Sequence, residues 1–374
     1  MKHQINYYFL GLAVFLLAFG LLFLANLSAP ASLQAFGNTN YYLFHQLVAF
    51  GIGLVLATAT FKLPLTLIKK WAPILFFLNL ALLAAVFLPA VGIKLWGASR
   101  WLGIGSATFQ PSEFLKITSV LYLASWLSVR VSEKSRKSLV VRAKENHGDF
   151  IRTFIPYIVM LGAVMAMLFF QRDLGTMGII TAALMSAYFA IGTPLWHTLL
   201  AVGIEVIGGL VLIVTEPYRL QRFLTLLHPE TDPLGGGFQL KQSILAIGSG
   251  GIFGEGWGMS TQKFGFLPQA MSDSVFAIIG EELGIVGCII VITLFLAFFW
   301  QGIKIALQSS ERFSKITSVG LMTWMIVQAF MNIASSVGLF PLTGIPLPFF
   351  SYGGSHLMSE MMAIGLLLNI SKKG

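Results

Sequence analysis

Ten apolar stretches of the chain, at about 7–28, 44–61, 71–91, 112–130, 153–171, 174–193, 196–215, 274–301, 316–340 and 356–371, hold few charged residues. A helix rising 1.5 Å per residue needs roughly 20 apolar residues to cross a hydrocarbon layer. The pattern therefore predicts an all-α polytopic membrane protein of about ten transmembrane helices. The 374 residues read as one membrane domain, 1–374, with a long connection near 216–273 between the seventh and eighth helices. Composition agrees: 56% of residues are hydrophobic, only 10% are charged, and the mean hydropathy is +0.81. A soluble domain carries about 25% charged residues, so this chain cannot cover a water-facing surface. Disordered chains are poor in aromatics and rich in charge, which excludes that class too. The single cysteine, Cys288, permits neither an internal disulfide nor a cysteine-rich zinc site. The first run exceeds a signal-peptide core and shows no small-residue cleavage pattern, so it reads as a retained span.

A net charge of +9 could point to nucleic acid, but the positions of the basic residues point elsewhere. With an even number of spans both termini share a side, and sixteen of the 24 Lys and Arg fall there. They lie at Lys2, at Lys62 to Lys70, at Arg130 to Arg152, at Lys304 to Lys315, and at Lys372 and Lys373. The positive-inside bias puts that side, and both termini, in the cytoplasm. The charge is thus topological, and no nucleic-acid partner is expected. The opposite face carries the connection 216–273 and two Gly/Pro-rich loops, 92–111 and 341–355. Long non-helical loops in compact proteins are often functional, so the chemistry is expected on that outer face.

Four outer segments stand out. The first runs through Arg100-Trp101 to Gln110-Pro111-Ser112-Glu113-Phe114-Leu115-Lys116. There Gln110 or Ser112 can cap a helix, Pro111 suits its first turn, and Glu113 and Lys116 can neutralise each other at i, i+3. The second is Gln171-Arg172-Asp173-Leu174-Gly175-Thr176, a tight turn in which Asp173 reads as an N-cap. The third spans Arg219, Arg222, the glycines at 235–237, Gln242, Lys263 and Asp273. Its glycines match no nucleotide-binding register, and on generic grounds Asp273 caps the eighth span. The fourth, Gly344 to Ser355, carries prolines and glycines that prevent a straight helix and includes Ser351. It predicts a re-entrant wall packed against protein or a polar cavity. Glu205, Glu281, Glu282 and Glu360 lie deeper, either as hydrogen-bonded structure or as a polar path. The six histidines are scattered, and neither HExxH nor GxSxG occurs.

In order, the motifs GASRW, QPSEFLK, QRDLGT, YRLQRF, DPLGGGFQLKQS, AIGSGG, SDSVFAIIGEELG and TGIPLPFFSYGGS resemble those of the SEDS family. This family of shape, elongation, division and sporulation proteins includes RodA, FtsW and SpoVE, and the resemblance covers nearly the whole chain. Ser260-Thr261-Gln262-Lys263 is more similar to the FtsW division branch. Three departures from the family pattern stand out. Met271-Ser272 replace the usual His-Thr, Arg172 stands where Pro is usual, and His356 stands where a second Ser is usual.

The resemblance implies a peptidoglycan glycosyltransferase that polymerises lipid II outside the bacterial cytoplasmic membrane, with inversion and release of undecaprenyl pyrophosphate. It implies Asp273 as the catalytic carboxylate, deprotonating a sugar 4-hydroxyl as it attacks an anomeric carbon. A pyrophosphate leaves as a stabilised anion, so positive charge matters more than a general acid. Arg100, Lys116, Arg219 and Lys263 are the expected suppliers, with Glu113, Asp173, Gln242, Ser351 and Ser355 in support. No metal ligand set is evident, although a divalent cation sharing the pyrophosphate stays open. The expected partner is a class B penicillin-binding protein, a transpeptidase. Two other classes remain open: a lipid II flippase, with the intramembrane glutamates forming a path, and a non-enzymatic scaffold for division proteins.

Overall fold

Each expected apolar run lies on or overlaps a helix in the computed structural model, which describes residues 5–95, 98–104, 107–130, 150–190, 192–193, 195–214 and 217–372. Most of the expected basic loop near 131–152, together with Lys2, Gly97 and Lys373, lies outside the described residues. The described helices in chain order begin with α1 (Tyr7–Phe36), α2 (Tyr41–Lys62), α3 (Leu65–Ala85) and α4 (Pro111–Arg130). Next come α5 (Ile155–Phe170), α6 (Leu174–Phe189), α7 (Leu195–Val214), α8 (Pro217–Leu227) and α9 (Gly236–Ser249). The last three are α10 (Val275–Gln308), α11 (Arg312–Ser336) and α12 (Gly354–Ser371). Among the described residues, six helical segments are long and apolar enough to cross a membrane: α1, α2, α3, Arg152–Phe170, α10 and α11.

The bundle has two distinct ends. The Asn6 backbone N–H donates to Ser371 Oγ at 3.3 Å, and Asn369 donates to the Thr60 and Leu63 carbonyls at 2.8 and 2.7 Å. The start of α1, the α2–α3 turn and the end of α12 therefore share one end. α12 runs 18 residues from there, roughly 27 Å, to its start at Gly354. Between the ends α12 packs along α2, while α11 packs against α4, α6 and α10. Trp324, Tyr157, Tyr188 and Phe298 are fully buried in this core.

Three features were not expected. The loop near 92–111 contains an antiparallel sheet, β1 (Gly92–Leu95), β2 (Ala98–Ile104) and β3 (Ala107–Phe109), in the order β1-β2-β3. The long connection holds two helices, α8 and α9. In α8 the apolar stripe Leu220, Phe223, Leu224 and Leu227 is exposed, whereas Arg219 and Thr225 are buried. This amphipathic helix turns its oily side outward.

The third feature is a break in α10 at Gly284, where φ is 66° and ψ −168°. The segment after α9 threads into that break. Glu255 and Gly256 donate their N–H groups to the carbonyls of Glu281 and Glu282, and Ile285 and Val286 donate to those of Gly251 and Ile252. The backbone groups freed by the break are thus satisfied by the inserted loop, as burial requires. Gly254 is required here, because a Cβ would sit 2.2 Å from the Glu282 carbonyl oxygen.

Both carboxylates at the break hold the next loop. Glu281 accepts from the Ser260 hydroxyl and from the Thr261 N–H and hydroxyl, the latter two at 2.9 Å. Glu282 accepts from Asn26 at 2.7 Å, Gly258 N–H at 3.0 Å and Lys263 Nζ at 3.0 Å. Glu205 accepts from the Tyr157 hydroxyl at 3.3 Å, and Glu360 holds the wall described below. All four glutamates are thus hydrogen-bonded within the structure.

Candidate active site

At the end of the bundle opposite the termini lies a cavity of about 820 Å³, within the range of small-molecule sites. Its lining includes β2 with Arg100 and Trp101; the start of α4 with Gln110, Glu113 and Lys116; Asp173; α8 and α9; the 268–273 loop; and the segment 344–356. Asp273 faces this space and is half-buried.

Asp273 does not cap α10. The helix opens at Val275 after Ser274, which makes no side-chain cap bond. The Asp273 carboxylate instead accepts from Ser272 Oγ at 3.2 Å and from Gln239 Nε2 of α9 at 3.4 Å. Its carbonyl accepts from Asn332 Nδ2 of α11 at 2.9 Å, and the same amide donates to the Ile345 carbonyl at 2.8 Å. One asparagine thus fixes the aspartate loop and the wall together. Burial pushes the Asp273 carboxyl above its ordinary value, and hydrogen bonds from its backbone, Gln239 and Ser272, with the charge of Arg222, oppose that rise. A carboxylate made more basic in a cavity is suited to accept a proton.

The wall is irregular backbone at depth, with Ile345, Leu347, Phe349 and Phe350 buried. Side chains from three helices satisfy it: Gln328 Nε2 donates to the Pro346 carbonyl at 3.0 Å, Glu360 accepts from Phe349 N–H at 3.0 Å, and Gln46 accepts from Gly353 N–H at 3.1 Å. This is the arrangement that non-helical backbone needs at membrane depth.

The expected site residues divide into two groups. Glu113, Lys116, Asp173, Arg100 and Ser355 meet at the cavity. Lys116 Nζ lies 2.7 Å from Glu113 and 2.9 Å from Gln328 Oε1, with Trp324 beside it. Asp173 caps α6 through Thr176 N–H and hydroxyl at 3.3 and 2.9 Å, as its position suggested. Arg100 donates to the carbonyls of Gln171 (3.2 Å) and Arg172, binding the sheet to the α5–α6 turn. Ser355 Oγ accepts from Gln110 N–H at 3.0 Å, while Gln110 donates its side-chain amide to Ser112 rather than capping α4.

The others do not reach the cavity as expected. Lys263 is buried with its ammonium 2.7 Å from Asn26 Oδ1, 2.6 Å from the Gly258 carbonyl and 3.0 Å from Glu282. Three acceptors engage its three hydrogens, so in this structure the expected pyrophosphate ligand is held within the loop. Arg219 is buried with its guanidinium 4.6 Å from the Phe169 ring and is not among the cavity residues. Its neighbour Arg222 is, and it donates to the Leu342 carbonyl at 2.7 Å. Gln242 lies a turn away from Gln239 on α9, outside the lining, and it is Gln239 that meets Asp273. Ser351 accepts from Leu347 N–H at 2.8 Å and donates to the Ser272 carbonyl, so it joins the wall to the Asp273 loop. Among the described residues, no group of three or more His, Cys, Asp or Glu side chains is arranged to hold a metal ion.

The family model described as cell cycle protein, covering FtsW, RodA and SpoVE, matches residues 7–374. The stage V sporulation protein E of Bacillus subtilis is 34% identical over 96% of this chain and 95% of its own length. A probable peptidoglycan glycosyltransferase FtsW of Trichlorobacter lovleyi is 35% identical over 96% of this chain and 91% of its own. Among solved structures, a chain from a study of the structural coordination of polymerization and crosslinking by a peptidoglycan synthase complex superimposes with a TM-score of 0.77. It is 25% identical and covers 98% of both chains. The rod shape determining protein RodA of Thermus thermophilus has the same fold, with a TM-score of 0.69 at 23% identity over 98% of this chain and 97% of that one.

Proposed function

Because the chain belongs to the FtsW, RodA and SpoVE family of cell cycle proteins, we propose that its cavity polymerises lipid II with Asp273 as the general base. The chain is an integral membrane protein and a peptidoglycan glycosyltransferase. The observation that carries the site reading is the position of Asp273. It is freed from capping, made more basic by burial, and set in a cavity shared with Arg222, Arg100 and Lys116.

In this reading the Asp273 carboxylate takes the proton of an acceptor sugar 4-hydroxyl as the oxygen attacks the anomeric carbon of a second lipid II. The bond from that carbon to the pyrophosphate breaks, with inversion, and undecaprenyl pyrophosphate leaves carrying the electron pair. No strong acid is needed for such a leaving group. The cations of the cavity stabilise the charge that develops on it, with Arg222 taking the place first given to Arg219. A positioned base contributes about 10²–10⁴-fold.

The cavity end is proposed to face outward from the bacterial cytoplasmic membrane, with both termini in the cytoplasm, on the bias of Lys and Arg toward the terminal side. A class B penicillin-binding protein is proposed as the partner that crosslinks the strands. Purified protein given labelled lipid II in liposomes tests the whole. Glycan ladders that vanish in Asp273→Asn support a polymerase. Movement of lipid II across the bilayer without polymer overturns it in favour of transport.

A further inference from the structure

His356 stands at the third position of α12, at the edge of the cavity, with both ring nitrogens engaged by carboxylates. Nδ1 is 2.9 Å from Glu113 of α4, and Nε2 is 3.0 Å from Glu360 one turn along its own helix. The three side chains are at most 6% exposed. An ionised carboxylate only accepts hydrogen bonds, and a neutral imidazole has a single N–H. The Glu113 hydrogen bond calls for an N–H on Nδ1, and on the Nε2 side Glu360 Oε1 lies at ion-pair distance without a hydrogen bond of its own, an attraction that needs a charged ring. Gln328 Nε2, 3.3–3.4 Å from both ring nitrogens, is itself a donor and gives the ring no acceptor. Its orientation is set, because Lys116 and Trp324 donate to its oxygen at 2.9 and 2.7 Å.

Charge balance gives the same answer. Glu113 and Glu360 are two buried anions, and Lys116 supplies one cation to them. A neutral ring would leave an uncompensated charge in a desolvated site, which costs several kcal/mol. A charged ring makes the cluster neutral.

We propose that His356 is a positioning residue that, as an imidazolium, clamps the cavity wall to α4. Its partner Glu360 also holds the N–H of Phe349, a wall residue in the left-handed region with φ 68°. Its partner Glu113 also holds Lys116, which lines the cavity. The clamp thus sets the wall and the Lys116 ammonium relative to each other. A serine here has one hydroxyl hydrogen and can donate to only one of the two carboxylates, so the departure of this chain from the family pattern adds a tie. The groups that bear on the ring are Glu113 and Lys116 from α4, Gln328 and Trp324 from α11, and Glu360 from α12, with Tyr352 and Asp273 lining the same cavity.

The inference rests on the cavity being the glycosyltransferase site, and the test separates the two. Full-length wild type, His356→Ser, Glu360→Gln and the double variant are purified. Polymerisation of labelled lipid II is followed across pH, and thermal melting is followed in parallel. His356→Ser is expected to lose about ten- to a hundredfold in activity through misplacement of the wall. Adding Glu360→Gln, which removes the stranded charge, is expected to restore most of both activity and melting temperature. Wild-type activity is expected to fall at alkaline pH as the ring loses its second proton, and that limb is expected to be missing from the double variant. Wild-type behaviour of His356→Ser, a double variant no better than His356→Ser, or an alkaline limb unchanged in the double variant would each overturn the clamp. Should His356→Ser fail to fold, recovery of folding in the double variant supports the clamp, and its absence overturns it. The melting cycle reads the clamp even if Asp273→Asn leaves polymerisation intact, an outcome that sinks only the site reading.

Discussion

Lys263 and Glu282 form an ion pair of 3.0 Å with side chains only 3% and 0% exposed, and it joins the loop after α9 to the break in α10. Removing one member of a buried pair strands the other, at about 3–5 kcal/mol. Lys263→Met is therefore expected to lower thermal stability by that order, with Glu282→Gln added on top recovering part of it. The lipid II concentration for half-maximal rate should stay unchanged in the folded fraction. A normal melting temperature with a raised substrate requirement would return Lys263 to the binding site.

Asp273→Asn is expected to abolish polymerisation while melting at or above the wild-type temperature. An amide has no carboxylate to take the proton, and it is also relieved of the desolvation that raises the Asp273 carboxyl. Circular dichroism melts alongside the ladder assay check both halves. Activity near wild type would remove Asp273 from the chemistry.

The same raised carboxyl sets a pH dependence. Activity should fall on the acid side with a midpoint above the ordinary aspartate value of 3.8, because protonated Asp273 is no base. The stability sign runs the other way. The folded state holds this proton more tightly than the unfolded chain, so the Asp273 contribution to stability declines as pH rises from the ordinary value through the raised one. Comparing melts of wild type and Asp273→Asn across that window isolates it, and parallel curves would refute the shift.

Arg172 ends α5 in the left-handed region with φ 58°, and its N–H bonds the Phe169 carbonyl while Asp173 N–H bonds that of Leu168. That is a Schellman turn, where glycine is favoured. Arg172→Gly is expected to stabilise by about 1 kcal/mol, since a side chain in this conformation costs roughly 1–2 kcal/mol. Arg172→Pro should destabilise, because proline fixes φ near −65° and lacks the N–H. Chemical denaturation of the two variants decides, and equal stability would contradict the turn.

Replacing Lys116 with Met leaves Glu113 with His356 alone, whereas Glu113→Gln leaves Lys116 with Gln328. Both are expected to slow polymerisation, and the Glu113→Lys/Lys116→Glu swap should regain stability but not rate if the ammonium must face the cavity. Full activity in both single variants would place the pair outside the mechanism.

Sequence patterns reached the spans because apolarity over a helix length is a local property. They missed the sheet because its strands are short, and only pairing across turns, such as Leu102 with Phe109, defines it. The outward stripe of α8 was present at i, i+3, i+4 and i+7, a helical signal hidden by treating the region as loop. Asp273 was found through the motif around it, but Gln239 and Asn332 were not. They reach it from 34 and 59 residues away, and no local spacing encodes such contacts. The pairing of Lys263 was missed for the same reason, since its counter-charge Glu282 lies beyond the intervening loop at a break that a uniformly apolar helix conceals.

The reversed amphipathicity of α8 bears on supply. Arg222 and Thr225 face the cavity while Leu220, Phe223, Leu224 and Leu227 face away, so the partition is a single helix, about 10–12 Å thick. On the proposed function, a substrate with a polar head and an isoprenoid tail would arrive by two-dimensional diffusion, and what it presents to the enzyme would be a mole fraction in the surrounding lipid. Turnover should follow surface dilution: adding inert phospholipid at constant bulk substrate slows it, and adding water does not.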